Sequence, residues 1–334
     1  MNNRIRPLLG LTLVLPLLFT PTPSRATLTT ETVDTIGDLF SGSAAGVRLT
    51  LDHTGAPHLL YLYLNPACTP FTSYAALKYA VRGPSGWTIE TVMDGSCPMP
   101  CKTVWIAMDS LDHPRALVTR VRFVSPTFYE DLLYGERNGG SWTWETVVTT
   151  PDGYHDPRLA LDANDQPHVV YGDSGLHSLR YATKVAGVWS FETVDATNNA
   201  GGYVDLAIAQ NGDPCCSYYT YDGVILRYAR RSGGSWSVET IESSIDLYGC
   251  TSMVINANDE PEIAYARPSG SIVHGVRTAG SWSLQNIPVS VGHPAAEVQL
   301  ALGPDAHPTS CSKTETSTAC NISFGRAPSG LSSR

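Results

Sequence analysis

The chain has 334 residues, 42% of them hydrophobic, with 22 Lys and Arg against 31 Asp and Glu and a formal net charge of −9. That acidic balance argues against a general nucleic-acid binder, which needs Lys and Arg to neutralise phosphates.

The chain opens with Arg4 and Arg6, the apolar run Leu8–Phe19, then Ser24-Arg25-Ala26. A basic start, an apolar segment and small residues before a cut predict a signal peptide over 1–26. The apolar run is short for a membrane span, and no span is expected elsewhere. The mature chain, 27–334, is expected to be a single exported domain, secreted or periplasmic. Loss of Arg4, Arg6 and Arg25 takes its charge from −9 to −12. Eight Cys in an exported chain point to disulfides. The candidates are Cys311 with Cys320 across a hairpin, two of Cys68, Cys97 and Cys101, and Cys250 with Cys215 or Cys216. Zinc at Cys97–Cys101 lacks nearby ligands to complete a site.

A repeat runs through the mature chain. A strand opening on Trp recurs as GWTIETV, SWTWETV, VWSFETV, SWSVETI and SWSLQNI, with Trp at 87, 142, 189, 236 and 282. The successive spacings are 55, 47, 47 and 46. TLTTETV at Thr27 precedes them with Leu28 in the Trp place. Turns ending in Pro follow, at Pro57, Pro114, Pro167, Pro214, Pro261 and Pro308. A last run reads LKYA, LLYG, LRYA, LRYA, IVHG and ISFG. Four short strands per unit, punctuated by Gly, Asn, Asp and Pro, predict an all-β, six-bladed β-propeller of four-stranded antiparallel blades. The sixth unit lacks its outer strand, so the N-terminal strand 28–34 is expected to complete it and close the ring, removing free edges.

Loop length varies between blades and between the second and third strands of a blade, while the turn between the first two strands stays constant. The two variable connections fall on one face, and binding usually resides on such loops. Just before the apolar part of each inner strand stand Arg48, Trp105, Arg158, Asp205, Ser252 and Gln299; the nearby loops add Lys102, His155, Asp156, Tyr203, His293 and Glu297. Arg suits a carboxylate or phosphate and Trp a stacking face, so Arg48, Trp105, His155, Asp156, Arg158, Asp205 and Glu297 form the candidate ligand site. Polar strand ends meeting channel water are the plainer reading. An Arg158→Ala change is expected to abolish binding at such a pocket with melting nearly unchanged.

Pro-His at 57–58 and 167–168 sits in the constant turn, where His is expected to pack on or bond to the neighbouring blade. Asp162, Asn164 and Asp165 could ligate Ca²⁺, but an Asx-type turn is the better use, and no cofactor is expected. The repeated Trp residues are expected to anchor blades, or to stack on sugars between them. No GxSxG, HExxH, phosphate loop or dinucleotide fingerprint is present.

Arg158–Asp162, Gln166–His168, Tyr171, Leu179–Ala182 and Gly187–Val194 resemble repeats of secreted bacterial β-propellers of the sialidase-like and lectin-like group. The resemblance covers essentially the whole mature chain and implies the fold. The sialidase Asp-box is absent, and that family's Arg triad and Tyr nucleophile cannot be placed residue by residue, so the resemblance does not imply sialidase activity. Three functions remain in play: a module recognising carbohydrate, an extracellular hydrolase or lyase with an axial polar pocket, and a propeller binding an extracellular protein.

Overall fold

The computed structural model describes residues 33–34, 46–64, 75–93, 101–243, 251–267, 271–287, 297–302, 308–314 and 317–323. Among them lie five four-stranded sheets and one three-stranded sheet, every strand antiparallel to its neighbours. Each four-stranded sheet is a meander of consecutive strands, and the first strands are Val47–Leu51, Cys101–Met108, Tyr154–Leu161, Ala200–Ile208, Thr251–Ile255 and Glu297–Leu302. Successive first strands lie against one another. The signal segment and the strand expected at 28–32 lie outside the described residues.

The core sits between sheets. Each first strand after the initial one buries its apolar side chains against the preceding sheet: Leu159 packs with Leu117, Leu132 and Tyr134, and Leu206 with Val170, Leu179 and Tyr181. Second strands are covered on both faces, and all seven residues of Pro214–Thr220 are buried. Such strands read as unbroken apolar runs rather than alternating ones. The fourth strands are more exposed, with the Trp and Glu half-buried between exposed residues.

The W-x-x-E motif is a junction between sheets. Glu90 accepts hydrogen bonds from Trp142 Nε1 and Arg137 Nε of the next sheet, both at 2.8 Å. Glu145 takes Trp189 Nε1 at 3.1 Å and Lys184 Nζ at 2.6 Å, and Glu192 takes Trp236 Nε1 and Arg231 Nε, both at 2.9 Å. Each indole also stands edge-on to the Tyr of the preceding sheet's third strand: Trp142 on Tyr79, Trp189 on Tyr134, Trp236 on Tyr181 and Trp282 on Tyr228. The repeated Trp residues are therefore anchors between sheets. Where the second sheet carries Trp144 opposite the third strand, that strand has Gly135 in place of Ala, because a Cβ there would lie 2.5 Å from the indole.

The constant turns are Asx turns, as expected. Asp162 Oδ1 accepts the N–H groups of Asn164 and Gln166 at 2.8 and 2.9 Å. The later acid joins neighbours: Asp112 accepts from His53 N, Asp165 from Ser110 N and Asp259 from Gln210 N, each in the preceding sheet's turn. This latch explains why these turns keep one length. The Pro-His histidines bond within their own sheet, correcting the expectation of a neighbouring blade. His58 Nδ1 meets Tyr79 Oη at 2.5 Å and His168 Nδ1 meets Tyr181 Oη at 2.6 Å.

Cys215 and Cys216 are buried free thiols, so neither forms the bridge suggested for it. Burial pushes both thiols up, Cys215 to about 11. Cys311 faces Asn321 across the ladder and Cys320 faces Ser312, so the two are not direct cross-strand partners. The side chains of Cys68, Cys97, Cys101, Cys250, Cys311 and Cys320 lie outside the described set. No helix among the described residues is long and apolar enough to cross a membrane.

Candidate functional site

The first strands begin at the face that carries the variable loops, and four of the predicted site residues meet there in an unbroken line. The Arg48 guanidinium lies 5.0 Å from the centroid of the Trp105 ring, and that of Arg158 lies 4.7 Å from it. Arg158 Nε is 3.8 Å from Asp205 Oδ1. Asp205 Oδ2 accepts the Met253 N–H at 2.7 Å, and its Oδ1 accepts that of Leu206 at 3.0 Å. Ser252 Oγ then accepts the Leu300 N–H at 3.0 Å. Each residue reaches the next first strand, forming a belt across the sheets.

The belt also assigns roles. Arg158 is only 8% exposed and donates to the carbonyls of Asp156 and Pro157. A guanidinium so enclosed holds the belt as well as presenting charge, so the burial of Arg158 argues for a loss of stability in Arg158→Ala rather than unchanged melting. Arg48, half-buried, is the cleaner residue to test. Burial pushes the Asp205 carboxyl up, against the opposing pull of Arg158 and the Met253 N–H.

Irregular backbone sits two residues earlier. Strand register breaks between Val170 and Gly172 and again between Gly202 and Asp205, and Asp156 and Tyr203 at these bulges have φ of +43° and +48°. Bulges re-aim side chains near functional sites. Asp156 Oδ2 accepts the Tyr203 N–H at 2.8 Å, joining the two bulges. Gly172 and Gly201 meet backbone to backbone beside them: a Cβ on Gly201 would lie 2.6 Å from the Gly172 Cα.

His155 stands apart from the belt. It is exposed, its Nε2 is 2.8 Å from Ser174 Oγ, and its ring is 5.5 Å from that of Tyr221. Glu297 begins the first strand of the last sheet, opposite Lys313; the side chains of Glu297 and Lys102, and all of His293, lie outside the described set. Sequence reasoning missed Ser174 and Tyr221. An exposed aromatic in the Tyr221-Asp222-Gly223 turn of a variable loop was the available signal. Among the described residues no group of His, Cys, Asp and Glu is placed to hold a metal.

No protein-family model and no curated protein sequence matches the chain. Solved structures do. A leech intramolecular trans-sialidase aligns with a TM-score of 0.58 at 10% identity, over 90% of this chain and 70% of that one. An ulvan lyase of a polysaccharide lyase family aligns at 0.57 and 12% identity, over 84% and 79%. The α-L-arabinanase of Penicillium chrysogenum, complexed with arabinobiose, aligns at 0.54 and 12%, over 84% and 92%. At such identities the likeness speaks for architecture: the chain has an all-β fold of antiparallel four-stranded sheets, similar to those of sialidase-like and polysaccharide-cleaving β-propellers.

Proposed function

We propose that the protein is a secreted six-bladed propeller that recognises carbohydrate on its variable-loop face. In this reading residues 1–26 are removed, and strand 28–34 completes the last blade and closes the ring. The ligand lies over Arg48, Trp105, Asp156, Arg158 and Asp205, with Glu297 on the sixth blade and His155 at the rim. The belt from Arg48 to Asp205 carries the proposal, since it gathers cationic, aromatic and acidic groups at one level of neighbouring strands. Small-ligand sites combine an apolar face with a few convergent polar groups in this way. Several structurally similar proteins are named for acting on sugar polymers, which is consistent with the class of ligand.

Closure has its own support. Val47, Leu49 and Leu51 of the initial first strand are 48%, 59% and 55% exposed, whereas the residues at the level of Leu49 in the next three sheets, Ile106, Leu159 and Leu206, are buried on a preceding sheet. Closing the last blade onto this strip would bury it. Deleting residues 27–35 should then lower the melting temperature markedly; an unchanged melt would refute closure by this strand.

The ligand is tested by screening the mature chain on a glycan array, with and without chelator. Binding to one defined sugar class supports recognition, and loss with chelator would restore a Ca²⁺ role. A blank array on folded protein overturns it. A second reading, a hydrolase or lyase, draws on the raised Asp205 carboxyl, a trait of general acids. Release of reducing ends or unsaturated sugars from a polysaccharide, lost in Asp205→Asn, would establish that reading instead.

A further inference from the structure

Asp156 and Tyr203 hold positive φ on neighbouring first strands and are tied by one hydrogen bond. Non-glycine residues occupy that region only when their surroundings enforce it, and such sites cluster where ligands bind. What the two bulges arrange is a shelf. Gly202, next to Tyr203, leaves room for the Tyr221 ring, whose Cζ would lie 2.9 Å from a Cβ at that position. The Tyr221 N–H is fixed by the Asn199 carbonyl at 3.0 Å, so the loop bearing the ring is anchored. Tyr221 is 36% exposed, with the His155 ring 5.5 Å from its own and Ser174 Oγ hydrogen-bonded to His155. Burial, then the nearby Asp156 charge, pushes the Tyr221 phenol up to about 12, so its hydroxyl keeps its proton.

A rigid aromatic face flanked by a hydroxyl and an imidazole matches a pyranose ring, which offers an apolar face and a rim of hydroxyls. The charge nearest the shelf, the Asp156 carboxylate, would repel an anionic ring. The guanidiniums belong to the belt, and one Asp156 oxygen is engaged by Tyr203 N–H. Across the bulge, His155 and Arg158 pair with Gly172 and Val170, two residues apart on the neighbouring strand and about 7 Å at strand spacing, so the shelf adjoins the belt.

We propose that Tyr221, His155 and Ser174 form a second subsite that stacks an uncharged sugar ring on Tyr221, so that the ligand is an oligosaccharide reaching from the belt to the shelf. This rests on the carbohydrate reading and extends it. Ring stacking supplies affinity, while Ser174 and His155 select hydroxyl positions.

The test is affinity electrophoresis of the mature chain in native gels containing arabinan, ulvan, homogalacturonan or galactomannan, comparing wild type, Tyr221→Ala, Tyr221→Phe and Ser174→Ala. Melting curves confirm that each variant is folded. The expected result is retardation of wild type by at least one polymer, weakened at least tenfold by Tyr221→Ala, a few-fold by Ser174→Ala and little by Tyr221→Phe. Equal retardation of wild type and a folded Tyr221→Ala protein would overturn the subsite and leave the carbohydrate reading standing. Loss in Tyr221→Phe equal to that in Tyr221→Ala would overturn the stacking role. Wild type that runs freely in all four gels would refute the carbohydrate reading and the subsite together.

Discussion

Trp189 donates its indole N–H to Glu145 Oε1 at 3.1 Å, although 44 residues separate them in the chain. The same bond joins Trp142 to Glu90 and Trp236 to Glu192. Two residues three apart in one motif thus serve different junctions, the Trp gripping backward and the Glu forward. A repeat built this way propagates from sheet to sheet, and its spacing records the step between them.

Glu192 tests the junction. Arg231 binds it through two nitrogens and Trp236 through its indole, with both charged side chains 31% exposed. Solvent screening limits the worth of such a pair, so Glu192→Ala should cost about 1–2 kcal/mol in urea denaturation. The hydrogen bonds from Arg231 outweigh burial and hold the Glu192 carboxyl below its usual 4.5; Arg277 does the same for Glu239. A carboxyl depressed in the folded state adds stability that is present above 4.5 and lost as pH falls through the lower folded value. Wild type should therefore lose stability on acidification below about pH 4.5, and Glu192→Gln should show a shallower loss. Equal acid slopes would show that the junction contributes nothing to pH dependence.

The sheets were legible because they repeat. Trp, turn Pro and LKYA-type runs mark strands by spacing alone, and the polar inner-strand positions could be aligned as a level. What joins them was not legible. Nothing in Asp205 announces that its carboxylate accepts the Met253 N–H, because that bond depends on the stagger of adjacent sheets. The shelf escaped for a similar reason. His155 comes from a first strand, Ser174 and Tyr221 from loops of two different sheets, and only the fold makes them neighbours.

Gly201 offers a sharp test of the bulged region. Its φ is +122°, and a Cβ would stand 2.6 Å from the Gly172 Cα with backbone on both sides. No side chain is there to swing away. Gly201→Ala should cost at least about 2 kcal/mol, from strain together with overpacking. Gly212→Ala, in an open turn with φ of +85° and nothing within 4 Å, carries the φ strain alone and should cost less. Thermal melts of the two variants separate the contributions, and equal losses would deny the close approach any role.

Asp205 joins three partners, so its substitutions should be graded. Asp205→Ala strips the acceptor from the Met253 N–H and the counter-charge from buried Arg158, and should cost about 2–4 kcal/mol. Asp205→Asn keeps an oxygen for Met253 and should lose roughly half as much. Because burial raises this carboxyl above its usual 3.8, its folded-state contribution is fullest below that value and declines as pH rises through the raised one. The gap between wild type and Asp205→Asn should accordingly change with pH across that interval. Denaturant titrations from pH 3.5 to 7 would check it, and a constant gap would mean the carboxyl is not perturbed.

The fifth sheet departs from the repeat in a way that can be reversed. Where the first and third units pair His after the turn Pro with Tyr in the third strand, this one has Glu262 and His274, joined at 2.9 Å with both side chains under 10% exposed. Glu262 also accepts from Asn256 Nδ2 at 2.9 Å. In the first and third sheets the same two positions hold His58 with Tyr79 and His168 with Tyr181. The exchange moves the imidazole from the second strand to the third and replaces the phenol by a carboxylate on the other side. Glu262→His alone sets two imidazoles together and strips the acceptor from Asn256 Nδ2, and His274→Tyr alone keeps a donor for Glu262 but forces a larger ring into a buried place, so each single change should destabilise. The double variant rebuilds the pair found in the first and third sheets and should recover much of the loss, giving a coupling of about 1–3 kcal/mol in a double-mutant cycle. Additive losses would show that the two positions do not act as a pair, and that the fifth sheet relies on Asn256 and its packing instead.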